Sequence, residues 1–139
     1  MKLEDFYFAD KHEAGLQMPI MLPNKEDSGE WLQVRGPDCD ASIAAGRAYT
    51  AAIRAVDNEL AELEKACAAK ENWAEYNDLR GYKVEDLNRQ LAVKLVTGWS
   101  LDEPFTEDAL AALLNQFREL ATQINQFHTK IREELNAKL

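Results

Sequence analysis

The fold is decided by residues 95–127, which read LVTGWSLDEPFTEDALAALLNQFRELATQINQF. A helical pattern runs up to Gly98, where the left-handed backbone of a helix end is easiest to adopt. Thr106 is a preferred N-cap for a second helix, and Phe105 before it is placed for a hydrophobic staple. The sequence therefore predicts a fixed corner between two helices, with Trp99 as a wedge.

Beyond this corner, apolar residues recur at steps of three and four, which is typical of an amphipathic helix. They are Leu110, Leu113, Phe117, Leu120, Ile124, Phe127 and Ile131. A break near Asn115 and Gln116 is compatible with the pattern. The apolar seam either packs on another helix inside the molecule or is held in part for a partner or for self-association, and the sequence leaves both open.

Toward the N-terminus, two runs alternate between apolar and polar residues and predict a β-hairpin. The first is LQMPIMLP at residues 16–23, and the second is EWLQVRG at residues 30–36. Pro19 places its strand at an edge or at a bulge, because proline cannot donate to the ladder. The aromatic run at residues 6–8 is a candidate third strand.

The middle of the chain predicts helices. From Ser42 to about Lys70 the pattern is helical, and its alanine-rich first half is expected to lie between the hairpin and other helices. A further helix is predicted up to Trp99, with Gly81 as the expected break before it. The predicted fold class is α+β, mainly α, with an N-terminal β-hairpin or small sheet packed on about four helices. We expect a single domain, 1–139, with a hairpin region (1–38) and a helical region (40–139).

Composition limits the function. Of the 139 residues, 46% are apolar and 29% charged, and the net charge is −9. A nucleic-acid surface needs an excess of Lys and Arg, so nucleic acid is not an expected partner. The sequence shows no targeting segment and no apolar run of membrane-spanning length, so no membrane association is expected. Two cysteines in unrelated contexts suggest no disulfide framework and favour a reducing cytoplasm.

Signatures of catalysis or metal binding are not found. His12 is expected in a polar loop and His128 on the polar side of the last helix, neither with a ligand partner at metal spacing. Cys39 has no local base to activate it, and Cys67 falls on a helical seam. Acidic clusters at predicted helix starts are expected to cap those helices and to form solvated surfaces. The sequence predicts no enzyme, no cofactor and no metal.

The order of these features resembles the tail assembly chaperones of long-tailed, siphovirus-like bacteriophages. The first matching stretch contains Trp31, Val34, Gly36 and Asp38, and the second contains Trp99, Pro104, Phe105, Thr106 and Glu107, followed by Leu113, Leu114, Ile124 and Phe127. The chain departs from the pattern at Cys39, where the family usually has Ser, and it lacks a proline near residues 116–119.

The resemblance implies a non-enzymatic protein that binds the phage tape measure protein, a very long helical chain with apolar stripes. Such a chaperone keeps that protein soluble and extended until the tail tube polymerises. It acts in the host cytoplasm and is not expected in the mature virion; the tail tube protein and self-association are further expected contacts. The candidate partner-binding residues are Trp99, Phe105, Leu113, Phe117, Leu120, Ile124 and Phe127. The competing hypothesis is that all seven belong to the core.

A second function class is an acidic helical inhibitor, similar to an antitoxin, that binds a basic partner. That function predicts steep salt dependence and loss of binding when acidic side chains are neutralised. A chaperone that uses apolar contacts predicts weak salt dependence and sensitivity to changes at apolar positions.

Overall fold

A computed structural model describes residues 1–137, so the last two positions of the predicted helical region lie outside the described residues. In chain order, the elements are a 3-10 helix at Leu3–Phe6, α1 at Ala9–Ala14, β1 at Leu16–Met21, β2 at Asp27–Val34, α2 at Asp40–Glu59, α3 at Ala61–Lys70, α4 at Ala74–Leu95, β3 at Val96–Trp99, α5 at Glu107–Gln116 and α6 at Glu119–Ala137. The predicted mainly helical α+β fold is confirmed. No helix within residues 1–137 combines the length and apolar character that crossing a lipid bilayer requires.

The sheet is antiparallel, with strand order β1-β2-β3. The predicted hairpin is confirmed, with Met18 opposite Leu32 in the ladder. Pro19 lies in the edge strand β1, as predicted, and the register shifts between Pro19 and Met21. The free end of β1 is closed by a side chain from α6: Gln123 Oε1 accepts from the Met21 N–H at 3.1 Å, and Gln123 Nε2 donates to the Met21 carbonyl at 3.0 Å.

The third strand is not the one expected. The aromatic run at residues 6–8 does not pair with the hairpin; the chain forms a 3-10 helix at Leu3–Phe6, and no residue of that helix is buried. The strand β3 instead follows α4 directly, so the helix predicted to reach Trp99 ends at Leu95. Gly98 is therefore a strand residue opposite Gln33, not a left-handed helix cap. The open edge of β2 has backbone N–H and C=O groups that pair with β3. If α4 continued as a helix instead, those groups of β2 would remain unpaired.

One buried cluster joins the sheet to α4, α5 and α6. The largest side chains without exposed surface are Leu32, Val34, Leu95, Leu110, Leu114, Leu120, Ile124 and Ile131. Alternate residues of β2 face the cluster. Its two core side chains, Leu32 and Val34, are therefore two positions apart, as the hairpin pattern predicts. Within this cluster α6 packs on β1 and β2, and α5 packs on α4 and α6.

The predicted helix from Ser42 to Lys70 is divided in two. It breaks at Leu60, between α2 and α3, and its buried residues are Ser42, Val56, Leu60 and Cys67. Glu71 adopts a left-handed backbone (φ 51°) and ends α3. The break expected at Gly81 does not occur, because α4 runs through it without interruption.

The position of α2 also differs from the expectation. It packs mainly on α4 rather than between the hairpin and other helices. Much of its alanine-rich side faces solvent. On another side of the helix, Ile43 is 46% exposed. Alanine removes little apolar area from water, so a run of alanines provides a weak force for burial.

The C-terminal part follows its prediction closely. Thr106 is the N-cap of α5, and its hydroxyl accepts from the Ala109 N–H at 3.0 Å. The long apolar seam breaks after Gln116, near the position that the sequence indicates, and α6 begins at Glu119. The described region therefore has six α-helices where about four are predicted, because the helix predicted from Ser42 to Lys70 divides into α2 and α3 and because α1 is added.

Candidate partner-binding surface

The corner around Trp99 is rigid. Trp99 ends β3, opposite Leu32 of β2, and its indole N–H donates to the carbonyl of Glu103 at 2.7 Å. Its ring meets Phe105 edge to face, with centroids 5.1 Å apart and planes at 89°. Aromatic pairs of this geometry contribute about 0.5–1.5 kcal/mol beyond their buried area. Trp99, which was predicted to be a wedge, therefore links the sheet to the start of α5.

Ser100 fastens the same corner to β2. Its N–H donates to the Trp31 carbonyl at 3.0 Å, and its hydroxyl oxygen accepts from the Trp31 N–H at 2.8 Å. The hydroxyl donates in turn to the carboxylate of Glu30 at 2.5 Å. With both backbone groups of Trp31 used, the corner has little freedom to move relative to the sheet.

An apolar flank of α5 continues from this corner. Leu110 and Leu114 face the core and have no exposed surface. A line of residues beside them is spaced four apart and only half buried: Phe105, Ala109, Leu113 and Phe117. We call this line, extended by Trp99, the α5 flank; it consists of Trp99, Phe105, Ala109, Leu113 and Phe117. All five are partly exposed to water, and all except Ala109 pack against the core.

The remaining candidate residues lie elsewhere. Leu120 and Ile124 have no exposed surface, so a partner reaches them only if α6 moves. Phe127 is half buried and lies beside β1, where it borders a groove with Met18 and Pro19. The structure therefore brings four of the seven candidate residues onto the α5 flank. Their contact with a partner remains a prediction.

Acidic residues surround the corner and the start of α5. Asp102, Glu103, Glu107 and Asp108 are exposed, and Glu107 pairs with Lys94 at 2.8 Å. Glu107 and Asp108 occupy the first turn of α5, where carboxylates interact favourably with the helix dipole. The α5 flank is thus an apolar surface with a solvated acidic rim.

The loop between β2 and α2 explains the first stretch of the resemblance. Gly36 is buried, and a Cβ there would lie 2.4 Å from His12 Nδ1 and 2.9 Å from Ile131 Cγ2. The Gly36 N–H donates to the His12 carbonyl at 2.8 Å, and the Asp38 N–H donates to His12 Nδ1 at 3.0 Å. The expectation of His12 in a polar loop is wrong, since it is a buried residue of α1. Its ring satisfies a backbone donor from a distant part of the chain.

The last helix holds the same loop from the other side. His128 Nδ1 lies 2.6 Å from the Arg35 carbonyl oxygen, and since a carbonyl cannot donate, this nitrogen bears the hydrogen. Arg132 grips the Asp38 carboxylate with two nitrogens, one of them Nε at 2.8 Å from Oδ2. The hydrogen bonds and the charge of Arg132 lower the pKa of Asp38, and burial opposes this shift. The loop therefore connects α1, α2, β2 and α6.

Burial lowers the pKa of His128; the hydrogen bond to Arg35 opposes this, and the charges of His12 and Arg132 add to it. Because the folded-state pKa lies below the unfolded value of about 6.5, the stabilisation from neutral His128 is complete above that pH. It is lost as the pH falls through the folded-state pKa. We expect urea midpoints to fall between pH 7.5 and 5, and to fall less in His128→Gln, whose amide can still donate to Arg35. Equal pH slopes in the two proteins would contradict this assignment.

The cysteines have structural surroundings. Both are buried and unpaired, and Cys39 donates weakly to the Ser42 hydroxyl at 3.3 Å. Within residues 1–137, no group of three or more His, Cys, Asp or Glu side chains is placed to hold a metal ion.

Several exposed apolar side chains were not singled out from the sequence. They are Leu3, Phe6 and Tyr7 near the N-terminus, Ile43 on α2, and Trp73, Leu79 and Tyr82 on or next to α4. The aromatic run at residues 6–8 stands out in the sequence, but it was interpreted as a strand and not as an exposed apolar surface. A count of aromatic residues outside any periodic pattern would have identified Phe6 and Trp73.

The family model of phage tail assembly chaperones matches residues 18–136, which is most of the chain. The chain therefore belongs to the phage tail assembly chaperone family, as the resemblance predicts. Neither the curated proteins nor the solved structures contain a significant match to it. The matched region begins in β1, so the 3-10 helix and α1 lie outside it.

Proposed function

We propose that this chain is a non-enzymatic chaperone that binds the phage tape measure protein and keeps it soluble and extended until the tail tube polymerises. It acts in the host cytoplasm and is absent from the mature virion. Family membership supports a role in tail assembly, and the choice of partner is our inference. The tail tube protein is the expected competitor for the same partner.

The α5 flank is the observation that carries the proposal. It is apolar, it extends from the corner before α5 to the residue that ends this helix, and the corner at Trp99 and the core beneath α5 hold it rigid. A helix with an apolar stripe buries that stripe by lying along such a surface. Trp99, Phe105, Leu113 and Phe117 make the contact, and Phe127, which lies beside β1, makes a separate one. Leu120 and Ile124 support it from below as core residues.

The size of the flank suits a reversible contact. Its side chains are half buried already, so each copy gains only a small apolar area on binding, and association has its own entropic cost. Many copies along one extended partner would still hold it firmly, because each additional contact is intramolecular. Individual contacts of this strength can be displaced by an assembling tube.

The test is co-expression of this chain with the tape measure protein of the same genome. We expect this chain to raise the soluble fraction of the partner and to co-purify with it at about 0.1 M and about 1 M salt alike, since the contact is apolar. Ala109→Glu places a carboxylate in the middle of the α5 flank, at a helix position where glutamate is favourable. We expect it to lower captured partner about five- to thirtyfold, equivalent to 1–2 kcal/mol.

Ala112→Glu is the matched control, because it adds the same charge to an exposed position of α5 outside the flank. It should retain capture, and both variants should unfold at the wild-type urea midpoint or above. A tape measure protein that stays insoluble with the wild-type chain would refute the proposal. Capture that disappears at high salt would favour the acidic inhibitor instead.

A further inference from the structure

One side of α2 is open to solvent and basic. Ile43, Arg47, Thr50 and Arg54 follow one another at steps of four, three and four, so they share one side of the helix. All four are exposed, and Ile43 retains 46% of its surface in water. We call this side the α2 outer face.

The two arginines of the α2 outer face are not neutralised by the rest of the described chain. Neither lies within ion-pair distance of a carboxylate in residues 1–137. Residues 41–56 contain no acidic residue, although the whole chain has a net charge of −9. Asp40, at the start of α2, is seven residues from Arg47, about 10.5 Å along the helix axis. The α2 outer face is therefore a basic patch on an acidic protein.

The opposite charge occurs on α4, beside large apolar side chains. Asp78, Tyr82 and Glu85 are spaced by four and three, and Leu79 lies three residues before Tyr82, so the four share one side of the helix. Leu79 is 37% exposed and Tyr82 65%, and both carboxylates face solvent. Apolar side chains that are exposed together and rimmed by charge are typical of interaction sites. We call this side the α4 outer face.

The packing of α4 leaves the carboxylates of its outer face without counter-charges. In the first half of α4 the basic residues are Arg80 and Lys83. They pair with Asp57 and Glu59 of α2, at 3.0 and 3.2 Å. Both cations are therefore used on the side of α4 that faces α2. The two carboxylates of the α4 outer face have no ion-pair partner within residues 1–137.

The two outer faces point away from each other within one chain. Residues two positions apart in an α-helix lie about 200° apart around its axis, on nearly opposite sides. Ala52 lines the groove between α2 and α4, and it precedes Arg54 by two positions. In the same way Arg80, which pairs with α2, precedes Tyr82 by two. Neither outer face can therefore cover the other in the same molecule.

The two faces match in charge and in spacing. The arginines of the α2 outer face are seven residues apart, and so are the carboxylates of the α4 outer face. Seven residues correspond to about 10.5 Å along each helix. Tyr82 lies between the carboxylates, and the smaller Thr50 lies between the arginines. Opposite charges at the same spacing fix the register of a contact and reject like-charged surfaces.

We propose that the α4 outer face of one chain packs on the α2 outer face of a second copy, with Tyr82 on Thr50 between two ion pairs. The two faces differ and lie on opposite sides of the helix pair, so this contact adds copies head to tail. It shares no residue with the α5 flank and does not depend on which partner that flank binds.

The test uses the full chain alone, by sedimentation velocity at about 0.15 M salt, where screening limits the repulsion between acidic chains. We expect the average mass to rise beyond that of a dimer as concentration increases. Arg47→Glu with Arg54→Glu reverses one face, and Asp78→Lys with Glu85→Lys reverses the other. Each double variant should weaken association at least about tenfold. Mixed together they should regain it, because each reversed face then meets its reversed counterpart.

Single-ring and charge controls are matched to these changes. Tyr82→Ser should also weaken association at least about tenfold, whereas Tyr7→Ser removes a ring that is 58% exposed near the N-terminus and should have no effect. Arg118→Glu with Lys130→Glu changes the charge as the first double variant does, at exposed positions outside both faces, and should associate as the wild type does.

Three results would overturn the proposal. The first is a wild-type chain that remains monomeric up to about 1 mM. The second is association that survives Tyr82→Ser. The third is a mixture of the two double variants, each folded by circular dichroism, that does not regain association.

Discussion

Gly15→Ala is expected to remove most of the stability of the fold, at least about 4 kcal/mol of a typical 5–15 kcal/mol. Gly15 follows α1 with φ 69° and ψ −161°, a conformation nearly confined to glycine. A Cβ at this position would lie 1.9 Å from the carbonyl oxygen of Val34. Since Val34 is a fully buried residue of β2, its backbone cannot move aside without disrupting the sheet. Circular dichroism and urea unfolding measure the loss.

Gly29→Ala separates the two causes of this effect. Gly29 also has a positive φ, 84°, but a Cβ there meets no atom within 4 Å. Its replacement should therefore cost only the conformational strain, about 1–2 kcal/mol. Equal losses in the two variants would show that the close approach of Gly15 to β2 does not contribute to stability.

Ile124→Ala is expected to lower the free energy of unfolding by about 2–5 kcal/mol, the usual cost of truncating a buried isoleucine. Ile124 has no exposed surface and lies in the cluster shared by the sheet and α6. Gln126→Ala, at an exposed position of α6, should have little effect. The urea midpoints of the two variants provide the comparison.

Ile124→Ala also tests whether Ile124 is only a core residue or contacts the partner as well. At a temperature where Ile124→Ala remains folded, we expect it to capture the tape measure protein as the wild type does. Ala109→Glu should show the reverse, normal stability with weak capture. A stable Ile124→Ala protein that has lost capture would place Ile124 in the contact and would require α6 to open on binding.

Local patterns predicted the parts of the fold that local chemistry determines. Alternation in the hairpin, proline at an edge, and Thr106 as a cap all depend on neighbouring residues. The strand β3 depends on β2, more than sixty residues earlier along the chain, and its four residues continue a helical pattern from α4. The sequence alone contains no signal that the free edge of β2 is available to these four residues.

The candidate partner-binding residues show a similar limit. Periodicity placed Leu113, Phe117, Leu120 and Ile124 on one seam, yet two are half buried and two have no exposed surface. The break between α5 and α6 turns the second half of the seam inward, and periodicity does not show which half remains accessible. The burial of His12 was unpredictable for a related reason, since its partner is a backbone N–H at Asp38.

The side chain of Gln123 has a consequence for how this protein behaves at high concentration. An unpaired edge strand is a template on which other chains can add strands and aggregate. Pro19 offers no N–H along this edge, and the Gln123 amide occupies both backbone groups of Met21 at its end. This edge of the sheet is therefore a poor template for added strands, and we expect the concentrated protein not to seed amyloid growth through it.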